Sequence, residues 1–187
     1  MPYRELNLEL TEEHELLKEE VHRFAVEVLR PASIELDKLP PEDVIQKGSL
    51  WWDCMKRLYQ NNYHLVLISD EYGGLGLDPL GVHIIWEELA YGSVGFAVSL
   101  GCSCFSSFYA TLLCEDHLID RFVVPFVNCK DASVMSCWGI TEPAHGSDNL
   151  MASTPFFRDP RASQQVKATK KGGNWIINGQ KSAWISN

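Results

Sequence analysis

Trp138-Gly-Ile-Thr-Glu-Pro-Ala-His-Gly-Ser-Asp148 is the stretch on which the reading of this chain turns. It opens by alternating apolar and polar residues, the pattern of a half-buried strand, and closes in a Pro/Gly turn. A second stretch, Asn178-Gly-Gln-Lys-Ser-Ala-Trp-Ile-Ser-Asn187, answers it downstream. Between them they supply an aromatic surface, several hydroxyls and backbone N–H groups. Thr141 ends the first strand, where its hydroxyl can meet the edge of a flat ring. Gly146 and Ser147 follow the turn, where successive N–H groups form an anion-binding concavity. Trp184 offers a face for stacking, and Ser186 presents its hydroxyl on the same side of that strand two residues later. Such a set suits a flat, polar-edged ligand carrying a phosphate tail.

Outward from this core, the first two-thirds of the chain read as helical. Thr11 is an N-cap followed by acids that suit a positive helix terminus. Leu17, Val21, Phe24 and Val28 recur at helical spacing, with Ala25 and Leu29 widening the stripe, and Pro31 predicts the end. A second helix is expected from Leu50 to about Asn61, with Trp52, Met55, Leu58 and Tyr59 on its buried side. Three glycines in four positions, 73, 74 and 76, mark a loop. Asp78-Pro79 is a cap followed by an N1 proline, and opens a helix bearing Val82, Ile85, Trp86 and Leu89. Ser93 caps another, expected to run from Val94 to Leu113 with no charged face and therefore buried on most sides. A last helix, Glu115 to Val127, contains Pro125 and is expected to bend or end there.

The pattern changes after Asp131. Ser133–Thr141 reads as a strand. Gln165–Thr169 and Asn174–Gly179 read as two more, joined by the turn Lys171-Gly-Gly-Asn174, and Gly179 starts a fourth. The expectation is an α+β chain: an all-α N-terminal domain over residues 1–130, then the start of an antiparallel β-barrel or sandwich over 131–187. A few strands ending at Asn187 leave an open edge and an uncovered face, which favours a chain continuing beyond that point.

Bulk properties narrow the function. The net charge is −9, and Lys167, Lys170 and Lys171 are the nearest approach to a basic cluster, which argues against nucleic-acid binding. Cysteines stand at 54, 102, 104, 114, 129 and 137; the lone C-x-C at 102–104 lacks a second pair at zinc spacing, so no metal site is expected. They read as buried reduced thiols, which points to a cytoplasmic location. Met1-Pro-Tyr-Arg-Glu-Leu6 has no apolar core of a secretory signal, and the apolar run Val94–Leu100 is too short to span a bilayer, so no membrane partner is expected.

Taken together, these features resemble the acyl-CoA dehydrogenase family over essentially the whole chain. Trp138 to Asp148 looks like its flavin signature, an aromatic residue followed by x-x-Thr-Glu-Pro-x-x-Gly-Ser-Asp. Asn178-Gly-Gln-Lys181 with Trp184-Ile-Ser-Asn187 looks like its second flavin segment. Glu71-Tyr-Gly-Gly-Leu-Gly76 and the Trp86-Glu-Glu-Leu-Ala90 helix fit its N-terminal domain. The resemblance implies FAD as cofactor, with Trp138, Ile140 and Thr141 lining the flavin ring and Gly146 and Ser147 by the diphosphate. It implies Ser147 near an acyl-CoA substrate as well, and Trp184, Ile185 and Ser186 on the flavin with a hydroxyl near N5. Ser186 stands where the family usually has Thr, Ala144-His145 replaces a smaller pair, and Lys181 and Trp184 are one residue further apart than usual.

The implied reaction is α,β-desaturation of an acyl-CoA thioester, with electrons passing to an electron-transfer flavoprotein from a homo-oligomer, a dimer or tetramer. The family's base is a Glu of a C-terminal helical bundle that this chain does not contain, so the catalytic residue is expected beyond Asn187. Glu142 reads as a structural carboxylate, and Phe96, Leu100 and Phe105 as core rather than acyl pocket. The alternatives are an acyl-CoA oxidase, a non-catalytic flavin-binding or interaction protein of the same fold, and a helical module without ligand.

Overall fold

The computed structural model describes residues 9–151 and 153–183, with only the backbone of Asn149 and Leu150. It divides into two compact units, Met1–Cys137 and Trp138–Asn187.

In the first unit, helix α1 (Glu12–Phe24) starts at a capping box: the His14 N–H donates to Thr11 Oγ1, and the Thr11 N–H to His14 Nδ1. Three acids occupy its first turn, where the helix dipole favours them. Pro31 does not end this helix. The residues before it widen into a π-turn, Ala25–Leu29, and helix continues as α2 (Arg30–Leu36). Proline has no N–H to donate and its ring crowds the carbonyl four residues back. The π-turn resets that register by sending the Arg30 N–H to the Ala25 carbonyl. The same device recurs at Pro125. There α8 (Asp116–Leu118) passes through the π-turn Ile119–Val123 into α9 (Val124–Val127), with the Val124 N–H on the Ile119 carbonyl.

Between these lie a short α3 (Pro41–Val44) and α4 (Leu50–Gln60), which buries Cys54, Met55, Leu58 and Tyr59 but leaves Trp52 half-exposed. Helix α5 (Pro79–Gly92) starts where Asp78 accepts the Gly81 N–H at 2.7 Å. His14 Nε2 lies 3.2 Å from the same carboxylate, tying the starts of α1 and α5 together. At the far end of α5, a Cβ on Gly92 would sit 2.7 Å from the Ala25 carbonyl oxygen, so only glycine permits the approach.

The expected long helix after Ser93 is two. α6 (Val94–Ser103) and α7 (Phe105–Leu113) are bent by 40° at Cys104, whose N–H turns back to Gly101 and whose Sγ donates to the same carbonyl. Phe96, Leu100 and Ala110 enter the core, while Leu112 and Leu113 stay exposed. Among the described residues no single helix is long and apolar enough to cross a membrane. Val21, Leu29, Met55, Tyr59, Ile85, Leu89, Leu100 and Phe126 form the centre of the core.

Ser133–Thr141 belongs to no ladder, contrary to the strand expected there, and the Ile140 N–H turns back to the Trp138 carbonyl at 2.9 Å. Its first part bonds to helices instead. Tyr59 donates its hydroxyl to the Val134 carbonyl at 2.9 Å, and the Ser136 N–H and Oγ both donate to the Ser103 carbonyl. That is why residues 131–137 join the helical unit.

The second unit carries the expected hairpin. β1 (Lys167–Lys171) pairs antiparallel with β2 (Asn174–Asn178), Lys171 opposite Asn174. Of the two loop glycines only Gly172 has positive φ, the pattern of a type II′ turn. Trp175 and Ile177 are 64% and 73% exposed, so this small sheet has uncovered apolar surface.

Candidate functional site

The two sequence stretches meet within the second unit. The Ser182 N–H donates to the Thr141 carbonyl at 2.9 Å, and Lys181 Nζ reaches the Ile140 carbonyl at 3.3 Å. Trp138, Ile140 and Thr141 are half-buried in one run. Among the described residues, the Thr141 N–H and hydroxyl have no protein partner. Of the expected flavin residues, the structure thus brings Trp138, Ile140 and Thr141 together with the start of the second stretch. Trp184, Ile185 and Ser186 lie outside the described residues.

Glu142 is the centre of this arrangement. Its side chain is 0% exposed. The carboxylate accepts the N–H groups of Gln165 on one oxygen and Val166 on the other, and Lys181 Nζ at 2.9 Å. Burial alone would push the carboxyl up; the Lys181 ammonium and the two N–H donors outweigh it and hold it down to about 2. A carboxylate so engaged is a poor proton acceptor, and the structural reading of Glu142 stands. Gly179 makes the convergence possible: a Cβ there would lie 2.7 Å from Val166 Cα.

The turn that follows is closed by a reciprocal pair, Glu142 N–H to His145 carbonyl at 2.8 Å and His145 N–H back at 3.1 Å. His145 is buried in this turn, and its Nδ1 lies 2.7 Å from Asp148 Oδ2. Asp148 also takes the Gly146 N–H at 2.6 Å. The His145 ring and this N–H hold its carboxyl below the usual range. The anion-binding concavity expected at Gly146-Ser147 is therefore partly filled from within the chain. Ser147 is exposed, and among the described residues neither its N–H nor its hydroxyl has a protein partner.

Sequence reasoning missed Lys181 and Asp148. Lys181 shares a charge complement with Glu142 across 39 residues, which only the fold discloses. Asp148 accepts an N–H two residues before it, the reverse of the familiar Asx turn, so its role too is visible only in the fold.

The remaining candidates offer less. The C-x-C thiols are buried; burial raises Cys102 and pushes Cys104 up to about 12, unsuited to a thiolate. Cys114 and Cys137 are exposed, contrary to the expectation of burial. Among the described residues no cluster of three metal-ligating side chains occurs. Phe96 and Leu100 are core, as expected.

The family described as acyl-CoA dehydrogenase, N-terminal domain, matches residues 11–117. The mitochondrial short-chain specific acyl-CoA dehydrogenase of Rattus norvegicus is 28% identical over 97% of this chain and 38% of its own. The chain therefore spans about two-fifths of that curated relative. Butyryl-CoA dehydrogenase from Megasphaera elsdenii, 23% identical, superposes with a TM-score of 0.67 over 94% of this chain and 41% of its own. Nitroalkane oxidase, 19% identical, does so at 0.75 over 94% and 39%. These two likenesses establish the fold. The family match covers more than half of the sequence, and the chain belongs to the acyl-CoA dehydrogenase family.

Proposed function

We propose that this chain is the front part of an FAD-dependent acyl-CoA dehydrogenase, comprising its N-terminal helical domain and the start of a β-barrel middle domain. One observation carries the reading. The Trp138–Thr141 run is joined to the second stretch through the Ser182 N–H, and it keeps the Thr141 N–H and hydroxyl without a protein partner among the described residues. Half-buried apolar side chains beside two free donors fit a flavin, which has a broad apolar face and an edge of acceptors. When bound, FAD supplies the acceptor for the hydride leaving the substrate's β-carbon.

In this reading Trp138 and Ile140 pack on the ring and Thr141 donates to its edge. Ser147 donates toward the diphosphate or the acyl-CoA thioester, with Gly146 beside it. Trp184, Ile185 and Ser186 cover the other side. The α-proton is taken by a carboxylate beyond Asn187, because both Glu142 oxygens are committed. Electrons pass on to an electron-transfer flavoprotein, the enzyme is a homo-oligomer, and its free cysteines suit a reducing, cytoplasmic location.

The test is anaerobic titration of the full-length, FAD-loaded protein with acyl-CoAs of graded length. The expected result is bleaching of the flavin band by one member of the series and reoxidation by an electron-transfer flavoprotein. Reoxidation by oxygen with peroxide release would assign an oxidase instead. A full-length protein that takes up no FAD would overturn the reading. The isolated 187-residue chain is expected to bind FAD poorly and to leave acyl-CoA unchanged.

A further inference from the structure

Lys181 Nζ donates to three oxygens: Glu142 Oε1 at 2.9 Å, Gln164 Oε1 at 3.2 Å and the Ile140 carbonyl at 3.3 Å. An ammonium has three protons, and all are used. Glu142 in turn holds the N–H groups of Gln165 and Val166. Three backbone segments, 140–142, 164–166 and 181–182, therefore converge on one ion pair whose carboxylate is fully buried.

The bonds fall on either side of one residue. The Ile140 carbonyl receives Lys181, the Thr141 carbonyl receives the Ser182 N–H, and the Glu142 N–H goes to His145. The peptides flanking Thr141 are fixed, and among the described residues its own N–H and hydroxyl have no protein partner. The network thus fixes the backbone on both sides of two donors that have no protein partner among the described residues.

We propose that Lys181 and Glu142 are positioning residues that hold the Thr141 donors at the hydrogen-bonding edge of a flavin. The inference rests on the flavin reading above. Lys181 acts through Thr141 and does not itself touch the cofactor. Arginine is an imperfect substitute, because its planar fork cannot aim three protons at the Ile140, Glu142 and Gln164 oxygens at once.

The experiment compares FAD affinity and the absorbance envelope of bound flavin in the full-length protein and three variants: Lys181→Met, Lys181→Arg and, as control, Lys167→Met on exposed β1. Far-UV circular dichroism checks the fold of each. Lys181→Met is expected to weaken FAD binding about tenfold or more, the scale of one hydrogen bond to a charged group, and to change the flavin envelope. Lys181→Arg is expected to fall between it and wild type, with Lys167→Met unchanged. A folded Lys181→Met variant with wild-type affinity and envelope would overturn the proposal. If Lys181→Met does not fold, Lys181→Arg decides: weakened FAD binding supports the role and wild-type binding refutes it. Wild-type protein that binds no FAD would sink the flavin reading itself, an outcome separate from any difference among variants.

Discussion

His64 should make the helical unit acid-labile. The ring is 2% exposed, and neither nitrogen has a hydrogen bond of good geometry among the described residues; the Phe126 backbone lies near enough only to oppose slightly the pKa shift that burial imposes. It stacks on Tyr59 with ring centres 4.0 Å apart and planes 9° from parallel, and meets Phe126 edge-on at 5.2 Å. Burial, and then the nearby Lys130 ammonium, lower its pKa from 6.5 to about 4. The folded state thus resists a proton that the unfolded chain accepts readily. Between pH 6.5 and 4 the unfolded state binds more protons, so stability is full above 6.5 and falls as pH drops through this window. At 1.36 kcal/mol per decade the loss approaches about 3 kcal/mol by pH 4, a large share of a typical domain's stability.

His64→Phe keeps a stacked ring and removes both the titration and the unpaired nitrogens. The assay is urea unfolding followed at the helical circular dichroism band from pH 7 to pH 4, since the α-helices of the described residues lie in this unit. Wild type should lose about 3 kcal/mol more than the variant across the window. Carboxylates held low in the fold, Glu142 and Asp131 at about 2, lose their contribution as pH falls below the ordinary carboxylate range. They do so in both proteins and cancel in the comparison. Parallel pH profiles for the two proteins would refute the reasoning.

Two further perturbations test the packing. Gly92→Ala drives a Cβ to 2.7 Å from the Ala25 carbonyl oxygen and 2.8 Å from the Ala25 Cβ. It should destabilise by about 2–3 kcal/mol in denaturant titrations, as overpacking against backbone does; a cost under about 0.5 kcal/mol would show that α5 and the Ala25–Leu29 turn slide apart freely. Tyr59→Phe removes the hydroxyl that holds the Val134 carbonyl and should cost about 1–2 kcal/mol, with faster amide exchange along residues 133–137 as its local signature.

What the sequence disclosed and what it hid divide along the range of the interactions involved. Thr11, Asp78 and Ser93 were legible as caps because each accepts an N–H only three residues away. The Lys171-Gly-Gly-Asn174 turn was legible because Gly172 satisfies a local φ requirement between two short β-prone runs. Pro31 misled for the opposite reason. Whether a proline stops a helix or is absorbed by a π-turn depends on what the shifted turn packs against, and here that is the end of α5 at Gly92. The Ser133–Thr141 run misled in the same way: its first backbone partners lie on Ser103 and Tyr59 rather than on a strand.

At the candidate site the same division has a chemical consequence. The residues expected to touch a flavin, Trp138, Ile140 and Thr141, form a local motif and could be read in sequence. The residues that fix them, Glu142 and Lys181, find each other only after 39 residues of chain have folded back. A motif search sees the surface a ligand would meet. The backbone that carries it is tied by an ion pair, where a fully buried carboxylate is tolerable only because three donors meet it. Removing one of those donors leaves a buried charge short of a partner. Damage at Lys181 should therefore reach Thr141 through the backbone, although no atom of Lys181 belongs to the ligand-facing set.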